Sequence, residues 1–308
     1  MADTSQKETA PARFKLALNQ YSLHRKIGGG GPYVKRFARR LRYCIREHPV
    51  GFLQPSLNPM DFPAFARETF DVGAVEYLSR FYPGLADDQS LLADLKTRAD
   101  AAEVESTLII IEREGDLGAA DLTVRQHALT RHKKWADAAA YLGSSRIGIT
   151  LETDPDRSET DQRNRLADGI SAFVQYCATL DMDVAIENTD GLSADANWLS
   201  LLVQQIDHSR CGTLPDFGNF KISEDRNYDY LQGVNELLPY AKGVSMKTFG
   251  FHEDGLETSL DFPALVKNIV TSGFSGYLGI EFEGRGLDEI AGIRATKRLI
   301  EQLAGDYI

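Results

Sequence analysis

Three short apolar runs in the C-terminal half of this chain each carry an acid where they give way to loop residues. MDVAIEN from Met182 carries Glu187, GTLPDF from Gly212 carries Asp216, and GYLGIEF from Gly276 carries Glu281. In a parallel α/β barrel, reactive groups stand at the C-terminal ends of the strands, and these acids have that placement. Three carboxylates meeting at one mouth repel one another unless a divalent cation or shared protons compensate them. An all-oxygen set suits Mg²⁺ or Mn²⁺ better than Zn²⁺, whose sites generally recruit His or Cys. Mn²⁺ or Mg²⁺, held by Glu187, Asp216 and Glu281, is therefore the expected cofactor. In GVSMKTF from Gly243, Ser245 and Lys247 are two residues apart and share one face, which directs Lys247 to the same mouth, to hold a substrate oxygen or neutralise a carboxylate. Glu283 is assigned to the far side of the last strand from Glu281, against a helix.

Further polar groups fall near strand ends. Glu76 and Glu112 are expected to add a polar wall, and His24 after the first strand faces the cavity or serves structure. Arg285 follows the last strand, placed for a substrate hydroxyl or carboxylate or for a surface ion pair, and His252 lies within reach as a substitute ligand or sits in an ordinary turn. Tyr21, Phe81, Tyr82, Phe217 and Phe249 are candidates for walls on which a sugar face could stack.

Eight strand-like runs position these groups. The four not yet quoted are FKLALNQ at Phe14, VGAVEYL at Val72, STLIIIE at Ser106 and SRIGITL at Ser145; GVSMKTF is the seventh in chain order. Most are separated by about 30–40 residues, the length of a strand, a crossover helix and two loops. Helical periodicity fills the gaps, over 122–142 (stopped by Gly143), 161–180 and 198–206. Asp61-Phe62-Pro63 and Asp261-Phe262-Pro263 read as twin helix starts, a carboxylate cap with Pro just inside. The fold class is α/β, a (β/α)8 TIM barrel. A doubly wound open sheet would alternate similarly but would more often carry a glycine-rich phosphate turn after its first strand. The chain divides into a disordered tail over 1–12 and one barrel domain over 13–308. A long insertion follows the first strand, holding Gly28 to Gly31, a basic helix around Lys35 to Arg46 and a loop at Leu57-Asn58-Pro59; it is a lid or substrate wall. The glycines lack the GxxxxGK[ST] pattern of a phosphate loop and read as a connector.

The formal net charge of −11 weighs against nucleic acid, whose binders show a basic stripe. No run of about 18 apolar residues predicts a membrane span, and the polar start lacks a secretory apolar stretch. Cys44, Cys177 and Cys211 are odd in number and have no CxxC spacing, which fits reduced thiols in a cytoplasmic protein.

The alternation, VAIEN, PDFGN and the closing GYLGIEFEG together resemble the sugar phosphate isomerase/epimerase superfamily, the xylose isomerase-like barrels that include endonuclease IV. The likeness spans nearly the whole chain. It implies a divalent ion held by Glu187, Asp216 and Glu281 after strands five, six and eight. The family's fourth ligand is a His in a His-x-Lys-Asp strand, where this chain has Ser245-Met246-Lys247-Thr248. A second family His, in Asp-x-x-His, is Asn219 here. The resemblance implies a small-molecule carbohydrate substrate and a homo-oligomer. A cation bridging a carbonyl and a neighbouring hydroxyl would acidify the intervening C–H, with Glu187 and Glu281 removing and returning the proton. That predicts a metal-dependent sugar isomerase or epimerase working through an enediolate, with Lys247, Asn219, Ser245, His24, Arg285, Glu112 and His252 as substrate contacts. Expelling a β-substituent instead gives a lyase on keto-glycosides. A barrel without metal, serving in sugar binding or subunit contact, is the non-catalytic alternative. Phosphoryl transfer by a multinuclear zinc centre is disfavoured by the missing imidazoles and the charge.

Overall fold

The computed structural model describes residues 13–28, 56–154 and 156–308. Eight strands alternate with helices: β1 (Phe14–Asn19), β2 (Ala74–Leu78), β3 (Glu105–Ile111), β4 (Arg146–Ile149), β5 (Asp183–Glu187), β6 (Cys211–Leu214), β7 (Val244–Thr248) and β8 (Gly276–Phe282). All pairings are parallel, in the order β6-β5-β4-β3-β2-β1-β8-β7. The ring closes between β6 and β7 through bridges Thr213↔Ala241 and Asp216↔Ser245. Ser245 N donates to Pro215 O at 2.9 Å and Phe217 N to Ser245 O at 3.2 Å. The closing seam therefore lies at the strand ends that carry the candidate site.

The strand sequences follow from this architecture. Both faces of a parallel barrel strand are covered, so the strands read as nearly continuous apolar runs. Leu18, Val75, Leu108, Ile147, Val184, Leu214, Val244 and Ile280 have essentially no exposure. Each such side chain contributes about 1.5–3 kcal/mol by leaving water. The helix over Leu122–Leu142 starts on Asp121, whose carboxylate accepts from Thr123 N and Val124 N, and ends on Gly143 at φ 88°, where a Cβ would be strained. The second sequence-predicted helix runs over Glu159–Thr179 and the third over Ala196–Ile206.

The twin helix starts diverge. Asp261 caps Phe262–Ser272 through Ala264 N, as expected. Asp61 makes no cap hydrogen bond to Phe62–Phe70; it ends a 3-10 turn begun by Asn58 and pairs with Arg98. The 3-10 turn draws the Asp61 backbone to φ −90° and ψ 0°, away from the extended conformation a cap adopts.

Of the long insertion, Gly29 to Pro55 lies outside the described residues, and with it the lid, the basic helix and Cys44; the tail over 1–12 lies outside them as well. Cys177 and Cys211 are buried and unbridged. Among the described residues, no helix is long and apolar enough to cross a membrane.

Candidate metal centre

At the C-terminal mouth, β5 delivers Glu187, the turn after β6 delivers Asp216, and β8 delivers Glu281. One carboxylate oxygen of each lies within 4.8 Å of the others, and all three residues are buried. An ion about 2.1–2.5 Å from each oxygen would span that spacing.

The local backbone is tied down to hold these acids. Asn188 brackets the Asp216 turn: its Oδ1 accepts from Asp216 N at 2.7 Å, and its Nδ2 donates to Asp216 O at 3.0 Å and Asn219 O at 2.9 Å. Asp216 Oδ1 accepts from Gly218 N at 2.8 Å. Gly218 is required by close approach, since a Cβ there would stand 2.8 Å from Lys247 Cδ and 2.6 Å from Phe249. Ser245 Oγ donates to Glu281 Oε2 at 2.5 Å, leaving Oε1 directed to Lys247. The loop after β7 is held by buried Glu257, whose Oε1 accepts from Phe249 N at 3.0 Å and Gly250 N at 3.2 Å.

Lys247 sits among the acids. Its Nζ lies 3.3 Å from Asp216 Oδ2, 3.1 Å from Glu281 Oε1 and 3.1 Å from Glu283 Oε2, and donates to Asn219 Oδ1 at 3.0 Å. Burial opposes the ammonium, but Asp216, Glu281, Glu283 and Glu187 outweigh it and hold Lys247 well above its ordinary value. Burial, then Asp216 and Glu281, pushes Glu187 well above the usual carboxylate range. Burial likewise raises Asp216 to about 7, with Lys247 opposing and Glu281 adding to the rise. Asp216 Oδ2 is buried and accepts no aligned hydrogen bond among the described residues, where its ion-pair partner is the ammonium 3.3 Å away. Glu187, Asp216, Glu281 and Glu283 are four carboxylates against one ammonium, an excess of negative charge that a divalent cation would offset. The donor set and the orphaned Asp216 Oδ2 both fit such an ion.

Glu283 corrects the sequence expectation. It reaches the mouth beside Lys247 because residues two apart on a strand return to the same face, and Glu281 and Glu283 are two apart. Glu76 also differs. β2 continues to Leu78, so Glu76 lies inside the barrel below the mouth, 3.6 Å from Arg146 Nη2. Arg146 donates to Lys242 O at 2.9 Å and stacks over Tyr277. Burial first, with Arg146 opposing, raises Glu76 to about 7.

Above the acids opens a cavity of about 390 Å³. Glu112, Asn219 and Lys247 line it with Glu187 and Glu281, and so do Tyr21 and Arg80. Glu112 grips the Arg80 guanidinium through both oxygens, and Arg80 lies over the Tyr21 ring. Of the other sequence candidates, Ser245 and Asp216 lie beneath the cavity floor, fully buried. His24 stacks on the outer side of Tyr21 with its Nδ1 2.8 Å from Tyr21 O and does not line the cavity. His252 sits in the turn closed by Gly255 N donating to its carbonyl, and both His252 and Arg285 are exposed and away from the lining. Phe81, Tyr82 and Phe217 are core residues, leaving Tyr21 as the lining aromatic among those expected. Arg80 and Asn188 escaped the sequence reading. Arg80 lies past β2 in a 3-10 turn, and its only signal was a cation following a strand; Asn188 was visible as a polar residue directly after Glu187.

The xylose isomerase-like TIM barrel family model matches residues 64–303. The chain belongs to that family. Among curated proteins, none matches this member significantly. Solved structures share its fold at low identity. A xylose isomerase-like TIM barrel protein from Mycobacterium smegmatis in complex with magnesium aligns at 13% identity and TM-score 0.67, covering 96% of this chain and 98% of that one. D-psicose 3-epimerase in the presence of D-fructose aligns at 12% identity and TM-score 0.65, covering 81% and 95%. The IolI protein with a bound zinc atom aligns at 12% identity and TM-score 0.64, covering 96% and 99%.

Proposed function

We propose that this family member is a divalent-metal-dependent carbohydrate isomerase or epimerase that moves a proton next to a carbonyl. The observation that carries the reading is the buried convergence of Glu187, Asp216 and Glu281 at the barrel mouth, where the carboxylates outnumber the single ammonium of Lys247. The fold neighbours solved with magnesium, with zinc and with D-fructose support it. Glu187, Asp216 and Glu281 would hold the ion, with Mn²⁺ or Mg²⁺ favoured by the all-oxygen set. When bound, such a cation would polarise a substrate carbonyl and its neighbouring hydroxyl.

The chain's own groups do the rest. Glu187 and Glu281 stand on strands three places apart, so they can serve opposite sides of a substrate carbon as base and acid. Ser245 fixes the rotamer of Glu281 by holding Oε2. Lys247 and Asn219 line the cavity and present an ammonium and an amide to substrate oxygens as the enediolate charge develops. Return of the proton to the opposite face of the same carbon gives epimerisation, and delivery to the neighbouring carbon gives isomerisation.

Elemental content after incubation with Mn²⁺, measured on wild type, Glu187→Gln and Asp216→Asn, tests the reading alongside C–H exchange of ketoses in D₂O. Near-stoichiometric metal that both substitutions abolish, with metal-dependent exchange, is expected. A wild type that takes up no metal refutes the proposal. That result would favour a second reading, carried by the contacts of Lys247, in which the ammonium is the resident cation of a sugar-binding barrel.

A further inference from the structure

Lys247 has more oxygens around its ammonium than it has protons to give them. Among the described residues, Asp216 Oδ2, Glu281 Oε1, Glu283 Oε2 and Asn219 Oδ1 all lie within 3.3 Å of Nζ. An ammonium donates three hydrogen bonds, so one of these oxygens goes without. It is Asp216 Oδ2, buried and accepting none. A carboxylate oxygen left unpaired at that depth is costly, and a second cation would satisfy it.

The oxygens fall into two pairs. Asp216 Oδ2 and Glu281 Oε1 belong to the triad, and each is the oxygen its carboxylate has left over, since Gly218 N holds Asp216 Oδ1 and Ser245 Oγ holds Glu281 Oε2. Glu283 and Asn219 stand outside the triad, are partly exposed and line the cavity, as does Tyr21, whose ring centre is 6.0 Å from the ammonium. The backbone fixes this second pair: Glu283 N donates to Thr248 O at 3.0 Å, and Asn219 O accepts from Asn188 Nδ2 at 2.9 Å. The stem of Lys247 packs against Gly218, where a Cβ would stand 2.8 Å from Cδ, which leaves the terminal ammonium as the part able to shift.

We propose that Glu283 is a positioning residue for the metal centre: when a divalent cation takes Asp216 Oδ2 and Glu281 Oε1, Glu283 and Asn219 keep the Lys247 ammonium and set it on the cavity side for a substrate oxygen. This rests on the metal-dependent reading above and deepens it. Two cations on the same pair of oxygens repel each other, so an ammonium without another anchor competes with the ion. Glu283 is that anchor. Occupation of the triad and presentation of Lys247 to substrate are then one event.

The test is Mn²⁺ affinity, by calorimetry, of wild type, Glu283→Gln, Lys247→Met and the double variant. Glu283→Gln should bind Mn²⁺ about tenfold or more weakly, and Lys247→Met at least as tightly as wild type. In the Lys247→Met background the Glu283→Gln change should cost about twofold at most, because Glu283 acts through the ammonium. A loss that persists in that background makes Glu283 a direct attractor of the ion, and no loss in the single variant leaves it without a role; either overturns the proposal and leaves the metal reading standing. Crystal structures of wild type with and without Mn²⁺ read the same event should Lys247→Met fail to fold. With the ion bound, the ammonium should stay on Glu283 and Asn219 and leave Asp216 Oδ2; an ammonium still on Asp216 Oδ2 beside the ion overturns the proposal. A wild type that takes up no Mn²⁺ overturns both the proposal and the reading beneath it.

Discussion

Ser245 holds Glu281 at the candidate metal centre, and its replacement tests how this chain would hold a cation. The hydroxyl donates to Glu281 Oε2 at 2.5 Å with no exposure to solvent. A hydrogen bond to a charged group contributes about 1.5–3 kcal/mol, and one lost beside a metal ligand typically weakens the metal about 10–100-fold. Ser245→Ala should therefore weaken Mn²⁺ binding by about one to two decades, because Glu281 then rotates freely or turns both oxygens to Lys247. Ser245→Thr, which keeps the hydroxyl, should recover most of the loss. Ser245→His would add a nitrogen donor at the same place and should raise the preference for Zn²⁺ over Mn²⁺. Titration of each variant with Mn²⁺ and Zn²⁺ by calorimetry, with melting temperature checked in parallel, gives the readout. Mn²⁺ affinity within twofold of wild type in a folded Ser245→Ala refutes the positioning role, and unchanged metal preference in Ser245→His shows that a side chain at 245 does not reach the ion.

Lys247→Met removes the ammonium from three buried carboxylates and should destabilise the metal-free protein by about 3–5 kcal/mol, read as a lower urea midpoint; no change would mean the acids are already neutralised by protons. Arg146→Met leaves Glu76 unpaired inside the barrel and should cost a similar amount, while the double change Arg146→Met with Glu76→Leu should recover much of it; additive losses would show that the pair does not interact. Burial lowers the His132 pKa from 6.5 to about 4. The unfolded chain therefore takes up a proton that the folded one refuses, and stability falls as pH drops from about 6.5 to about 4, by on the order of 3 kcal/mol at 1.36 per pH unit. Denaturation midpoints across that window should flatten in His132→Gln, and an unchanged slope would remove His132 as the cause.

The barrel was legible because its strand signal is local. β3, β5 and β8 are continuous apolar runs ended by acids or loop residues, and a parallel strand covered on both faces admits little else. The triad was legible for the same reason: strand-end position places Glu187, Asp216 and Glu281 at one mouth once eight strands close into a ring. The sequence also determined that residue 245 brings a hydroxyl where an imidazole could have stood. What that hydroxyl does was decided by the pairing of β7 with β8, which sets Ser245 beside Glu281 although 36 residues separate them. The same is true of Asn188 bracketing the Asp216 turn across β5 and β6, of Arg80 gripped by Glu112, and of Glu76 finding Arg146 inside the barrel instead of solvent at its rim. Local patterning fixes which face a side chain takes. Only strand register and barrel closure decide which charge or hydroxyl from a distant strand meets it there, and in a buried site that meeting sets protonation, rotamer and the room left for an ion.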